Sequence, residues 1–190
     1  MALSTAREIH YCMTTSKEEL ISRLAEDNTA VAISSIFDEI RIFFGEVGEP
    51  WKTLASSPGL LRTVWRGIRD VLESGILSPK LKLMIGYEAA KADGCKKCKD
   101  GFKSMLSKIG VNKETVNGLE EEIRSVKLRD NAKRILIFSY AAAENPHGTN
   151  ESTIQAFRRM GISQDELVEA VVVLNAWRGI IEINHMLNIH

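Results

Sequence analysis

The chain has 190 residues, 44% of them hydrophobic, and its 25 lysines and arginines are matched by 25 aspartates and glutamates. Zero net charge speaks against a nucleic-acid partner, which needs a basic surplus or face, and no apolar run approaches the ~18 residues of a membrane helix. An odd count of 3 cysteines speaks against an extracellular disulfide framework.

The segment Met1 to Tyr11 has one arginine and no apolar stretch of signal-peptide length, so a cytoplasmic protein is expected. Thr15 with Glu18 reads as a capping box opening a helix over 16–27. Ile33, Ile36, Phe37, Ile40, Phe43 and Phe44 recur at helical spacing across 31–44. Gly45 and Gly48-Glu49-Pro50 then break the chain. Ser57-Pro58 is a cap followed by proline at the first helical position, with Leu61, Val64, Trp65, Ile68 and Leu72 on one face. Ser78-Pro79 repeats the signal before Leu81 to Ala92. After Asp93-Gly94 a helix from about Cys95 to Lys108 stops at Gly110, and Asn112 caps a shorter, polar one.

Residues 130–143 are apolar and alanine-rich, which predicts a buried helix. Asn145-Pro146-His147-Gly148 reads as a loop, 151–160 as a short helix ended by Gly161, and Ser163 with Glu166 as a second capping box. The last helix runs from Gln164 towards His190 and is apolar nearly all round near Val171 to Leu174. Such a helix is buried by its own subunit or by a neighbour. No segment alternates with period two and no low-complexity linker divides the chain. The expected architecture is an all-α helical bundle, one domain over 1–190, with a cysteine-motif core at about 57–110.

The chemistry concentrates in Gly94-Cys95-Lys96-Lys97-Cys98-Lys99. Two cysteines three apart on a helix face the same way, so their sulfurs can close a disulfide or share a ligand. Unpaired amides and the positive dipole end at a helix start favour thiolate, most strongly at Cys95, and Lys96, Lys97 and Lys99 add positive charge. Redox-active thiols are the leading reading. A zinc half-site lacks a second Cys-x-x-Cys; His10 and Cys12, the residues left to complete one, are distant in sequence. A purely structural pair is the third reading.

Ser57-Pro58-Gly59-Leu60-Leu61, Ile76-Leu77-Ser78-Pro79-Lys80-Leu81, Ala89-Ala90-Lys91-Ala92-Asp93-Gly94-Cys95-Lys96-Lys97-Cys98 and Ile154 to Glu166 occur in that order before the long final helix. This order resembles the carboxymuconolactone decarboxylase and alkylhydroperoxidase D superfamily, in particular its peroxidase-related branch. The resemblance implies an alkylhydroperoxidase D-like helical bundle and an obligate homo-oligomer. It implies Cys95 and Cys98 as the catalytic pair of a thiol-dependent peroxidase or thiol–disulfide oxidoreductase, an antioxidant enzyme. The substrate would be a peroxide or a disulfide and the reductant an external thiol, with no metal or organic cofactor required. The family pattern also has a glutamate and a histidine, and the matching positions here are Leu83 and Phe102. That proton relay is therefore absent, which leaves a non-catalytic oligomeric scaffold as the alternative. Family analogy points to Cys98 as nucleophile, whereas the helix start points to Cys95.

Other residues have two readings each. Glu88 and Tyr87 are possible supporting groups, as a displaced base and a hydrogen-bond donor; their plain readings are a partly exposed surface carboxylate and a packed core tyrosine. Lys96 and Lys99 are either electrostatic support or a solvated face. His185 sits where it could meet a site or an interface, or serve only surface packing. His147 belongs to its turn, and Trp51, Trp65 and Trp177 read as packing aromatics.

Overall fold

The computed structural model describes residues 29–121, 123 and 127–187. Among them are nine α-helices and no strand: α1 (Thr29–Phe44), α2 (Glu49–Leu54), α3 (Pro58–Glu73), α4 (Pro79–Ala92), α5 (Lys96–Lys108), α6 (Lys113–Glu121), α7 (Asp130–Glu144), α8 (Glu151–Arg159) and α9 (Gln164–Met186). The all-α expectation holds. The expected helix 16–27 and its Thr15–Glu18 box, with His10, Cys12 and His190, lie outside the described residues.

Three predicted start signals cap through a side chain, whereas Ser57 stands at the N-cap of α3 without a side-chain hydrogen bond and Pro58 takes the first helical position. Ser78 Oγ accepts the Leu81 amide at 3.3 Å. Asn112 Oδ1 accepts the Thr115 amide at 2.8 Å. Ser163 and Glu166 form the reciprocal capping box, with bonds of 3.1 and 2.8 Å. One break was misread. Gly48-Glu49-Pro50 opens α2, with Pro50 in its first turn, where proline removes an amide that has no partner anyway. The helix is worth having because it buries Trp51 edge-on against Trp65, ring centroids 5.6 Å apart.

Helix α4 is the hub. It packs on α5, α7 and α9, and every residue from Leu81 to Ala90 is buried. That explains a sequence without amphipathic rhythm: a helix covered on all sides has no polar face to alternate with. Two charged residues are buried within it. Lys82 is 1% exposed; its Nζ meets Glu169 at 2.8 Å and the Val71 carbonyl at 2.8 Å, and it also donates to Ser74 O. A buried ammonium is tolerable only when paired in this way. The bond set ties the end of α3 to α4 and α9.

Two contacts fix α5 and α9 against the hub. Phe102 and Trp177 meet edge to face, centroids 4.9 Å apart. The Trp177 indole donates to the Lys82 carbonyl at 3.1 Å. Gly86 lies beneath both rings. The buried side chains form one contiguous cluster running from Ile36 in α1 to Ile181 in α9.

Candidate active site

The turn that presents the cysteines begins where α4 ends. Gly94 takes φ +70°, a region open to glycine but costly for other residues. This lets the Cys95 amide reach back to Ala90 O at 3.0 Å and the Gly94 amide to Lys91 O at 3.2 Å. The chain reverses sharply, and Cys95 becomes the N-cap of α5.

Cys95 and Cys98 are joined by a disulfide, with Cα atoms 5.3 Å apart, within the ordinary span of such a bridge. The Cys98 amide donates to Cys95 Sγ at 3.2 Å, so the sulfur occupies the place a serine oxygen would take at a helix start. The two residues differ in burial: Cys95 is 8% exposed, whereas Cys98 is only half-buried.

Above Cys98 stands Asn184 of α9, its Nδ2 3.8 Å from Cys98 Sγ. The other amide atom, Oδ1, is buried without a hydrogen-bond partner. Beside it, His185 Nδ1 lies 3.3 Å from Asp93 Oδ2, linking α9 to the residue just before Gly94. These three polar residues were missed as a group, because α9 and the cysteine turn are far apart in sequence. One signal was available. Asn184 continues the stripe of Trp177, Ile180 and Ile181, buried residues at helical spacing, and an amide on an apolar stripe asks for a partner.

The predicted supporting residues divide. Lys96 pairs with Asp100 at 3.1 Å. Lys99 and Lys103 pair with Glu120 at 2.8 and 2.7 Å. Their charges are thus largely answered by carboxylates. Tyr87 is fully buried and its hydroxyl donates to Glu120; burial and the neighbouring carboxylate push the phenol above its ordinary range. Hydrogen bonds from Lys103, Lys99 and Tyr87 hold the Glu120 carboxyl down at about 2. Tyr87 and Lys99 therefore converge on Glu120, a structural clamp between α4, α5 and α6.

Glu88 corrects the surface reading: it is 0% exposed, and neither carboxyl oxygen has a hydrogen-bond partner. Burial pushes it up to about 8, with Lys91 opposing and Glu120 reinforcing. Burial therefore favours its protonated form. Its field reaches Tyr140 of α7, and Lys91 itself caps α6 by donating to Leu119 O at 2.7 Å.

Leu83 and Phe102 are each 4% exposed and belong to the hydrophobic core. A cavity of about 510 Å³ lined by Leu81, Met84, Thr115, Asn131 and Ile135 opens at the opposite end of α4 from the sulfurs. Among the described residues no cluster of histidine, cysteine, aspartate or glutamate could hold a metal, and no helix is long and apolar enough to cross a membrane.

No protein-family model matches the chain, and none of the curated proteins matches it. Solved structures do. The debrominase Bmp8, in complex with 2,3,4-tribromopyrrole, superposes with a TM-score of 0.72 at 16% identity over 81% of this chain and 82% of that one. An alkylhydroperoxidase AhpD core, an uncharacterized peroxidase-related protein from Ralstonia eutropha JMP134, gives 0.70 at 17% identity over 81% and 82%. An uncharacterized peroxidase-related protein from Silicibacter sp. TM1040 gives 0.69 at 14% identity over 80% and 79%. The chain shares the alkylhydroperoxidase D-like fold.

Proposed function

We propose that this protein is a cytoplasmic thiol–disulfide oxidoreductase whose Cys95–Cys98 pair cycles between disulfide and dithiol. The observation that carries the reading is the bridge itself, held at a helix start with Cys98 half-buried and Cys95 Sγ accepting an amide. An external thiolate attacks Cys98 Sγ. The S–S bond breaks, and Cys95 leaves as a thiolate stabilised by the Cys98 N–H and the dipole of α5. A second external thiolate attacks the sulfur joined to Cys98 and releases an external disulfide and the Cys98 thiolate. Two external thiols are oxidised and the protein gains two electrons.

The return half-reaction uses a peroxide or a disulfide. The Cys98 thiolate attacks the terminal oxygen of a hydroperoxide, the O–O bond breaks, and an alcohol leaves with a proton from solvent. The resulting sulfenic acid condenses with Cys95, expelling water and restoring the bridge. Neither half needs a metal or organic cofactor. The apolar Leu83 and Phe102 supply no proton, so disulfide exchange, which needs only a thiolate and a resolving thiol, is the principal activity proposed. The family of folds hosts other chemistry, as the debrominase shows.

The core positions of Leu83 and Phe102 favour one rival, a non-catalytic oligomeric scaffold that keeps the fold. Cys95→Ser and Cys98→Ser, assayed for thiol-dependent peroxide removal and disulfide reduction, separate the two. Both single variants are expected to fall to the uncatalysed background. Wild-type turnover in both would end the redox reading and leave the scaffold.

A further inference from the structure

Helices α5 and α9 meet through two matched pairs. On α5, Cys98 and Phe102 are one turn apart on the same face. On α9, Trp177 and Asn184 are two turns apart on the same face. Phe102 contacts Trp177 edge to face, and Cys98 faces Asn184. Trp177 is further pinned by its bond to the Lys82 carbonyl of α4. The aromatic contact thus sets the register that brings one amide against one sulfur.

We propose that Asn184 is the positioning residue of the cysteine pair: its Nδ2–H stabilises the Cys98 thiolate and so favours the dithiol form. The inference rests on the redox reading above and assigns it a direction of electron flow. A sulfur bearing negative charge accepts a hydrogen bond far better than a thiol or a disulfide does. The Nδ2–Sγ distance of 3.8 Å therefore describes a weak contact in the bridged state that strengthens on reduction. Cys95 already has its own donor in the Cys98 amide. With Asn184 each sulfur of the reduced pair has a dedicated N–H. Stabilising the reduced form makes the disulfide the stronger oxidant, a pair that draws electrons from external thiols. An amide does not exchange its proton in the reaction, so this device replaces the electrostatic part of a Glu–His relay and leaves proton delivery to solvent.

The test reads protonation rather than turnover. In a full-length Cys12→Ser, Cys95→Ser background, Cys98 is the remaining cysteine, and serine preserves the cap at position 95. The pH midpoint of Cys98 is followed by thiolate absorbance and by the rate of iodoacetamide alkylation. Asn184→Ala is expected to raise that midpoint by about half to one pH unit, and the near-isosteric Asn184→Asp by about one unit or more, since its carboxylate repels the thiolate. In the chain with both cysteines, Asn184→Ala is expected to shift the equilibrium with glutathione up to about tenfold towards the disulfide, about 30 mV for two electrons. A midpoint unchanged in Asn184→Ala would overturn the proposal, whatever the aspartate variant does. If the alanine variant fails to fold, Asn184→Leu, which continues the apolar stripe without a donor, decides in its place by the same criterion. The two readings fail separately: an unmoved midpoint leaves the redox activity standing, and full activity in both cysteine-to-serine variants leaves the Asn184–Cys98 coupling measurable.

Discussion

Among single residues, Glu88 makes the sharpest prediction. Burial lifts its carboxyl from 4.5 to about 8, so between those values the folded state holds a proton that the unfolded state releases. The stability this proton contributes is complete below about pH 4.5 and is lost as pH rises through about 8, at a slope of at most about 1.4 kcal/mol per pH unit. Glu88→Gln keeps the shape and loses no hydrogen bond, because both oxygens are unpartnered. Denaturant midpoints are expected to fall for the wild type relative to Glu88→Gln between pH 5 and 8; parallel curves would show that Glu88 titrates normally. At this scale the sequence displayed the cysteines plainly, since two thiols on one helix turn need no knowledge of the rest of the fold. Asn184, Asp93 and His185 were not legible as a group. Their meeting depends on the register of α9 against α5, which a pair of aromatic rings sets and no local pattern encodes. Glu88 was misplaced because a carboxylate among alanines on α4 reads as a solvent face until that helix is known to be covered on all sides.

At the scale of helices, two glycines near the site are needed for different reasons, and substitution separates them. A Cβ at Gly86 would come within 2.9 Å of Trp177 and closer still to the Phe102 ring. Gly86→Ala should overpack the α4–α5–α9 junction and cost about 1–3 kcal/mol, read as a lowered Tm. A Cβ at Gly94 meets nothing within 4 Å, but its φ is +70°. Gly94→Ala should therefore cost about 1–2 kcal/mol through backbone strain alone. Equal stability of Gly86→Ala and wild type would mean that the two rings yield freely, and the register argument would lose its anchor. Helix boundaries were readable where chemistry marks them: Ser-Pro starts, the Ser163–Glu166 box, and glycines at Gly94, Gly110 and Gly161. Helix α2 was missed because its start signal, glycine then proline, also marks a break, and only the packing of Trp51 on Trp65 decides between them.

For the whole molecule, α9 carries an apolar stripe that the described residues leave exposed: Val168 is 53% exposed, Val171 37% and Val172 50%, and Ile76, whose amide donates to Glu169 of α9, is 64% exposed. Contact between copies along this stripe is the expected cover. Sedimentation velocity should show an oligomer for the wild type and a smaller species for Val168→Lys, Val172→Lys; a monomeric wild type would remove the stripe from the account. The fold class was legible throughout, since helical periodicity and the absence of alternation exclude sheets. The function was legible only as far as two sulfurs go, because the positions that would complete a relay hold Leu83 and Phe102, and what stands near Cys98 instead comes from the far end of the chain. The most direct measurement is a redox titration of the full-length protein in glutathione buffers, with alkylation and intact mass reporting the state of Cys95 and Cys98. One reversible two-electron step between disulfide and dithiol is expected in the folded protein. A pair that stays bridged, or stays open, at every potential until the chain unfolds would contradict it.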